Sequence, residues 1–377
     1  MNIVNPTNVF SSPHPGAVLK GELEENGLSQ RELAAALGKS APMINGILNG
    51  NKDITVEIAI LLEAALPKSL SAQDWLRLQN EFDLESKRKE SSLITRASAI
   101  RIWNFLRQNS NFNALRRRLN FGSNFEENIG LVMKTLGIAN LQELEKALER
   151  SQVGFKKSEK VQTDMHNLFS WIIIVKHASQ EQTLNASYDS RMLPQLKNQL
   201  NQVFFDNIDV VDRTRHLLNT YGIKFITDEK QLDKVPVDGY SFWRGENPTI
   251  VATQRMNRID NFAFTIMHEL GHIERHLEQN GTEEFIDADK NVCGEINQQE
   301  REANEYATDA IWGGMLPEEL FADIANPYGA SKHLKRISQQ YKVNVGIVTG
   351  QYQHYCDEKG LVRNSYAICR ELISKIG

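Results

Sequence analysis

The sequence predicts a mainly α chain with a small β-sheet, an α+β architecture. An all-helical N-terminal domain, a helical middle region and a C-terminal domain built on a short sheet follow one another. Three observations predict it. Apolar residues recur at helical spacing, punctuated by capping signals, from about Pro15 to about Asn207. Around Gly222 the pattern changes to short alternating runs of strand type. No proline falls between Arg258 and His276, and Asn261–Met267 is apolar at helical spacing, so one uninterrupted buried helix is expected there.

The chain has 377 residues, enough for two or three domains, and its 41% hydrophobic and 24% charged residues are ordinary for globular protein. A formal net charge of −5 excludes a generally basic nucleic-acid coat. The three cysteines, Cys293, Cys356 and Cys369, form no C-x-x-C pair, which argues against a disulfide framework or a cysteine zinc knuckle and fits a reducing cytoplasm. The start lacks a charged-then-apolar signal, and Trp171–Val175 is too short to span a bilayer, so no membrane association is expected. The expected divisions are a flexible tail over 1–12, a helical domain over 13–70, a helical linker or dimerisation region over 71–207, a sheet-containing domain over 208–330 and a C-terminal helical extension over 331–377.

The first helix runs from Gly16 to Asn26 with Val18, Leu19 and Leu23 on one face, and Gly27 closes it. Ser29-Gln-Arg-Glu32 is a capping box that opens a second helix through Leu37. Gly38-Lys39 makes a tight turn, and Ser40 caps a third helix with Pro42 in its first turn, stopping at Gly50. Thr55 starts a fourth helix, Val56 to Leu66, closed by Pro67. Two short helices joined by a Gly-containing turn form a helix-turn-helix.

The pattern S-Q-x-E-L-A-x-x-L-G, ending at Asn49-Gly50, resembles the phage-repressor-like helix-turn-helix family, and the opening His14-Pro15-Gly16 is similar to its HigA-type antitoxin branch. That resemblance implies DNA binding. Gln30 would touch phosphate, Ala41, Pro42 and Asn45 would face base edges, Asn49 would sit near the backbone, and Ser40 would open the DNA-facing helix. The chain departs from a strong DNA binder in two ways. Ala41 and Pro42 carry no side-chain donors, and residues 14–67 hold four Lys and Arg against seven Asp and Glu. Phosphate neutralisation supplies most non-specific affinity, so this module is expected to bind its operator weakly alone or to gain by acting as a homodimer, the alternative being a four-helix interaction module that no longer touches DNA.

From Ser71 to about Asn207 the sequence is helical and polar. A basic stretch runs from Lys87 to Arg118 with Trp103, Phe105 and Phe112 interleaved; its spacing suits amphipathic helices with aromatic cores and a solvated basic face, the alternative being additional phosphate contacts. Phe155–Ser158 and the Trp171 helix read as a packed helical linker. Ile223–Thr227 alternates like a strand, and Gly239–Trp243 with Thr249–Thr253 flank the turn Arg244–Pro248 as a hairpin. The Thr249–Thr253 strand is the candidate sheet edge for pairing with an extended peptide.

The hairpin is followed by His268-Glu-Leu-Gly-His272. On a helix, positions i and i+4 share a face, so both imidazoles can aim at one metal ion with Glu269 beside it. A catalytic zinc site needs three protein ligands and an open position for water. The expected source of the third is the helix Gln298–Ala307, where Glu300 and Asn304 share a face. His276 competes, but it lies two turns beyond His268, about 12 Å along the axis, so one ion cannot readily take all three histidines. The bland alternative is a hydrogen-bonded core histidine pair and a solvated acidic helix face.

A small sheet followed by an H-E-x-x-H helix is zincin architecture. The segment Asp260–His272, then His276, then Glu300-x-x-Ala-Asn-x-Tyr-Ala307 resembles the ImmA/IrrE metallopeptidases. The resemblance implies a Zn2+ ion held by His268, His272 and Glu300, with Glu302 as the fallback ligand, and Glu269 as general base. His333, His354 and Tyr355 are candidates for a further oxyanion donor. The expected protein is a cytoplasmic regulator of bacterial or phage origin that hydrolyses a peptide bond in a protein partner such as a repressor or toxin. The alternative is a non-catalytic DNA-binding antitoxin or autorepressor whose peptidase fold serves as sensor or scaffold.

Overall fold

A computed structural model describes residues 13–152, 163–228, 232–253, 255–279, 281, 284–288, 298–321 and 329–377. The expected tail over 1–12, Phe155–Ser158 and Cys293 lie outside them. The chain divides into two compact units, 1–101 and 102–377. Among the described residues, no helix is long and apolar enough to cross a membrane.

The first unit is helical: α1 Pro15–Glu25, α2 Gln30–Ala36, α3 Ala41–Leu48, α4 Val56–Ala65 and α5 Ala72–Arg88, with α6 Ser91–Asn109 running across the unit boundary. Ser29 and Glu32 make the reciprocal capping box. Gly27, Gly38 and Gly50 all adopt positive φ, as the helix ends require. Leu19, Leu33, Ile44, Ile47, Ile58 and Leu62 close the core. That core continues past residue 70, because Trp75 of α5 is wholly buried in it and Gln79 of α5 accepts the Ile54 N–H at 2.9 Å.

The second unit adds α7 Phe112–Arg118, α8 Phe125–Leu136, α9 Leu141–Gln152, α10 Met165–Glu181, α11 Leu193–Asp206 and α12 Val210–Thr220. A four-stranded sheet follows, with β1 Lys224–Asp228, β2 Val237–Arg244, β3 Asn247–Thr253 and β4 Glu284–Ala288. Between β3 and β4 runs α13 Ile259–Arg275, and after the sheet come α14 Gln298–Trp312, α15 Ser331–Tyr341 and α16 Val345–Glu358.

Strand order is β1-β3-β2-β4, parallel between β1 and β3 and antiparallel elsewhere. The hairpin forms as expected with a tighter turn, since Arg244 pairs with Asn247. The expected edge strand is corrected. Thr249–Thr253 lies in β3, which pairs on both sides and is buried along its whole length, as a continuous Thr-Ile-Val-Ala-Thr run requires. The edge beside α13 is β4, which the sequence reading did not pick out.

α10, expected as part of a packed helical linker, packs against the sheet. Leu168, Trp171, Ile172 and Val175 pack on Val237, Tyr240, Phe242 and Val251, covering one face of the sheet. α13 covers the other face through Phe262, Ala263 and Ile266 against Phe225, Ile250 and Ala252. Residues 331–377 complete this second core with Leu334, Ile337, Val348, Tyr352 and Leu372. In the basic stretch, Trp103 packs edge-on against Phe112 at 4.8 Å and against Phe121 and Phe125, while Arg116, Arg117 and Arg118 face solvent. The aromatics there are packing groups.

Candidate metal centre

α13 and α14 pack side by side because small residues face each other. Gly271 has the Tyr306 ring where a Cβ would stand, at 3.0–3.1 Å, and Ala303 and Ala307 are fully buried. This close approach brings Glu300 to the two histidines of α13. His268 Nε2 and His272 Nε2 lie 3.0 Å apart, and the Glu300 carboxylate reaches them at 3.3 and 3.5 Å. His268, Glu269 and His272 are buried, and Glu300 is partly exposed.

The outer nitrogen of each ring is tied down. His268 Nδ1 lies 3.1 Å from Asn304 Oδ1, and His272 Nδ1 lies 3.0 Å from His276 Nδ1. An amide oxygen only accepts, so His268 carries its proton on Nδ1 and presents a lone pair at Nε2. Burial pushes the His272 imidazole down to about 4, so it is neutral near pH 7. Burial alone would raise Glu300, but the two imidazole rings beside it, 3.3 and 3.5 Å away, hold it down to about 2, so it is ionised near pH 7. Two neutral imidazoles and a carboxylate therefore meet at one point.

This donor set fits zinc. With bonds near 2.0–2.1 Å, a tetrahedral ion separates its ligand atoms by about 3.3 Å, which matches the three observed edges. Glu302, the fallback, points elsewhere: its Oε2 lies 3.0 Å from His276 Nε2. His276 turns its Nδ1 to the outer nitrogen of His272, away from the convergence point. His333, His354 and Tyr355 have partners of their own, the Glu319 carbonyl, Glu358 and the Phe321 ring.

Three features escaped the sequence reading. Phe285 of β4 stacks on His272, with centroids 4.0 Å apart and planes 13° apart, walling one side of the site. Gly239 of β2 faces Glu269: a Cβ there would lie 2.2 Å from Oε1, so only glycine leaves the carboxylate room. Asn304 shares the Glu300 face by spacing, but its bond to His268 comes from the packing of the two helices.

In the first unit, Ser40, Ala41, Pro42, Asn45 and Asn49 are exposed and Gln30 is partly exposed. Gln30 Nε2 donates to the Ala41 carbonyl at 3.2 Å, fixing α2 against α3. Lys20 donates to Asn49, which donates to Asn45 at 2.9 Å. The opening His-Pro-Gly also has a packing reason. Gly16 passes so close to the Ile47 carbonyl that no Cβ fits, and the His14 ring sits between Gly50 and Phe82.

Two family profiles match the chain: Helix-turn-helix over residues 19–73 and IrrE N-terminal-like domain over residues 220–349. Virulence-associated protein A of Dichelobacter nodosus is 41% identical over 73 residues, 19% of this chain and 71% of that protein. The uncharacterized HTH-type transcriptional regulator YddM of Escherichia coli (strain K12) is 34% identical over 77 residues, 20% of this chain and 80% of that protein. Among solved structures, the Pseudomonas aeruginosa antitoxin HigA with higBA promoter is 37% identical, covering 20% of this chain and 83% of its own, with a TM-score of 0.20.

Proposed function

For a chain that belongs to the helix-turn-helix family and carries an IrrE N-terminal-like domain, we propose a DNA-binding, antitoxin-like transcriptional regulator whose second unit is a zinc-dependent endopeptidase. The site of action is the cytoplasm, and the substrate is a peptide bond in a protein partner such as a repressor or toxin. DNA is bound as a homodimer through Gln30, Ser40, Ala41, Pro42, Asn45 and Asn49. The observation that carries the peptidase reading is the convergence of His268 Nε2, His272 Nε2 and the Glu300 carboxylate within 3.5 Å, with Glu269 buried on the same helix.

His268, His272 and Glu300 would hold the ion. Zinc, when bound, supplies Lewis acidity toward the attacking water and the scissile carbonyl. Glu269 supports the proton transfers: its carboxylate takes a proton from the attacking water and delivers it to the leaving amine. Gly239 leaves that carboxylate its position, and Phe285 keeps water from one face of His272. The edge strand β4 offers main-chain groups to an extended peptide beside the site.

The test is elemental analysis with proteolysis. The parent holds one zinc per chain and cleaves; Glu269→Gln keeps the metal and loses cleavage; His268→Ala and Glu300→Ala lose the metal. Undiminished proteolysis by Glu269→Gln removes the mechanism. Operator binding indifferent to a chelator, without cleavage of any partner, supports the sensor or scaffold reading instead.

A further inference from the structure

Residues 91–125 carry six arginines, no lysine and no aspartate or glutamate, in a chain whose net charge is −5. Within the second unit this stretch builds α7, which turns Ala114, Leu115 and Leu119 inward. The opposite face holds Asn113, Arg116 and Arg117 at i, i+3 and i+4, all exposed, and Asn120 continues that stripe just past the helix end. Asn120 adopts positive φ, which lets the chain turn back, and the Phe121 N–H donates to the Arg116 carbonyl at 3.0 Å. Phe121 then packs on Phe112 and Trp103, with ring centroids 5.9 and 6.1 Å away. Asn113, Arg116, Arg117, Asn120 and Phe121 line one open cavity of about 780 Å³. Among the described residues, Arg116 and Arg117 form no ion pair; Arg117 Nε donates to the Asn113 carbonyl at 3.4 Å. The next acids along the chain, Glu126 and Glu127, sit in the first turn of α8, where Glu127 accepts from Asn124 at 2.9 Å.

We propose that this face of α7 is a second DNA-binding surface, which takes the phosphate backbone through Arg116 and Arg117 with Asn113 and Asn120 beside them. The inference rests on the DNA-binding reading of the first unit and adds a contact outside it. Three observations favour a phosphodiester chain. The charged groups are guanidinium ions, which only donate hydrogen bonds and match the oxygens of a phosphate in pairs. The two amides add further donors, and no carboxylate lines the cavity to repel an anion. The helix-turn-helix itself lacks this charge: residues 14–67 hold four Lys and Arg against seven Asp and Glu, although neutralised phosphates supply the sequence-independent part of DNA affinity. A surface of this kind positions DNA without reading bases.

The experiment measures affinity of the full chain for a random-sequence DNA duplex by fluorescence anisotropy across a salt series. The substituted positions are exposed, so the variants keep the fold. Each phosphate contact contributes about 0.9 to the slope of log affinity against log salt, so Arg116→Gln with Arg117→Gln makes the slope shallower by about 1.8. The loss of affinity between about 50 and 200 mM salt is then about tenfold smaller than in the parent. Arg116→Lys with Arg117→Lys keeps the charge and returns the parent slope. Lys332→Gln with Lys335→Gln removes the same charge from exposed positions of α15 and leaves the slope at the parent value. A slope unchanged in the Arg116→Gln, Arg117→Gln variant overturns the inference, and so does an equal change in the α15 variant, which would make the effect one of net charge. Weakened binding of poly-glutamate with an unchanged DNA slope overturns it in favour of an acidic protein partner. A parent with no affinity for the duplex at about 50 mM salt overturns this inference and the DNA-binding reading together, whereas the unchanged slope overturns this inference alone.

Discussion

Gly239→Ala is the sharpest probe of the active geometry, because one methyl group separates two outcomes. Gly239 does not adopt positive φ, so alanine suits its backbone. In a strand interior that exchange alone would stabilise by about 0.5–1 kcal/mol. The added Cβ, however, would stand 2.2 Å from Glu269 Oε1, 2.8 Å from Thr265 Cγ2 and 3.0 Å from Glu269 Cδ. Relief requires the carboxylate to retreat by about 1 Å, and a displacement of that size costs on the order of 10²-fold in rate. The three atoms nearest that Cβ belong to Glu269 and Thr265 and none to a histidine, so zinc content should stay at the parent level. The assay is hydrolysis of a quenched fluorescent peptide library by zinc-loaded protein, with metal content and thermal unfolding measured alongside. Expected is a roughly hundredfold loss in kcat/KM with zinc retained and no loss of stability. Activity within threefold of the parent would refute the idea that glycine is there to make room for Glu269.

Two further outcomes follow from geometry elsewhere. Lys176 is buried in α10 and bonds Glu284 of β4, which also accepts from Tyr240 at 2.7 Å and faces Arg244 at 3.7 Å. Lys176→Met should cost about 3 kcal/mol in urea unfolding, the low end for a broken buried pair because Tyr240 and Arg244 remain; adding Glu284→Gln should recover most of it, and an unchanged midpoint in the single variant would show the pair to be idle. In the first unit, Asn45→Ala should weaken operator binding about 10–100-fold while leaving affinity for random DNA within a few-fold, measured by fluorescence anisotropy at fixed salt; equal losses on both would make Asn45 a structural partner of Asn49 only.

Much of the site was legible because its signals are local. The i,i+4 spacing of His268 and His272 follows from helical period alone, and so do the capping box at Ser29 and the turn glycines of the first unit. Glu300 was harder. Glu300 and Glu302 lie about 200° apart around a helix, so periodicity says that both cannot reach the same pair of rings, without saying which does. The rotation of α14 is set by Ala303, Ala307 and Tyr306 against Gly271, and that rotation sends Glu302 to His276. The misplaced edge strand has the same origin. Strand order depends on pairing between segments far apart in sequence, and β4, five residues long, carried little pattern of its own.

The amino-acid order by itself determined the helix-turn-helix, the helix that carries the histidine pair and the hairpin before it, because backbone dihedrals and capping act within a turn or two. The packed fold decided the rest: which carboxylate meets the two rings, which strand ends the sheet beside them and why residue 239 has no side chain. Those choices are made where elements dozens of residues apart come within van der Waals contact, and no local rule specifies the angle at which they meet.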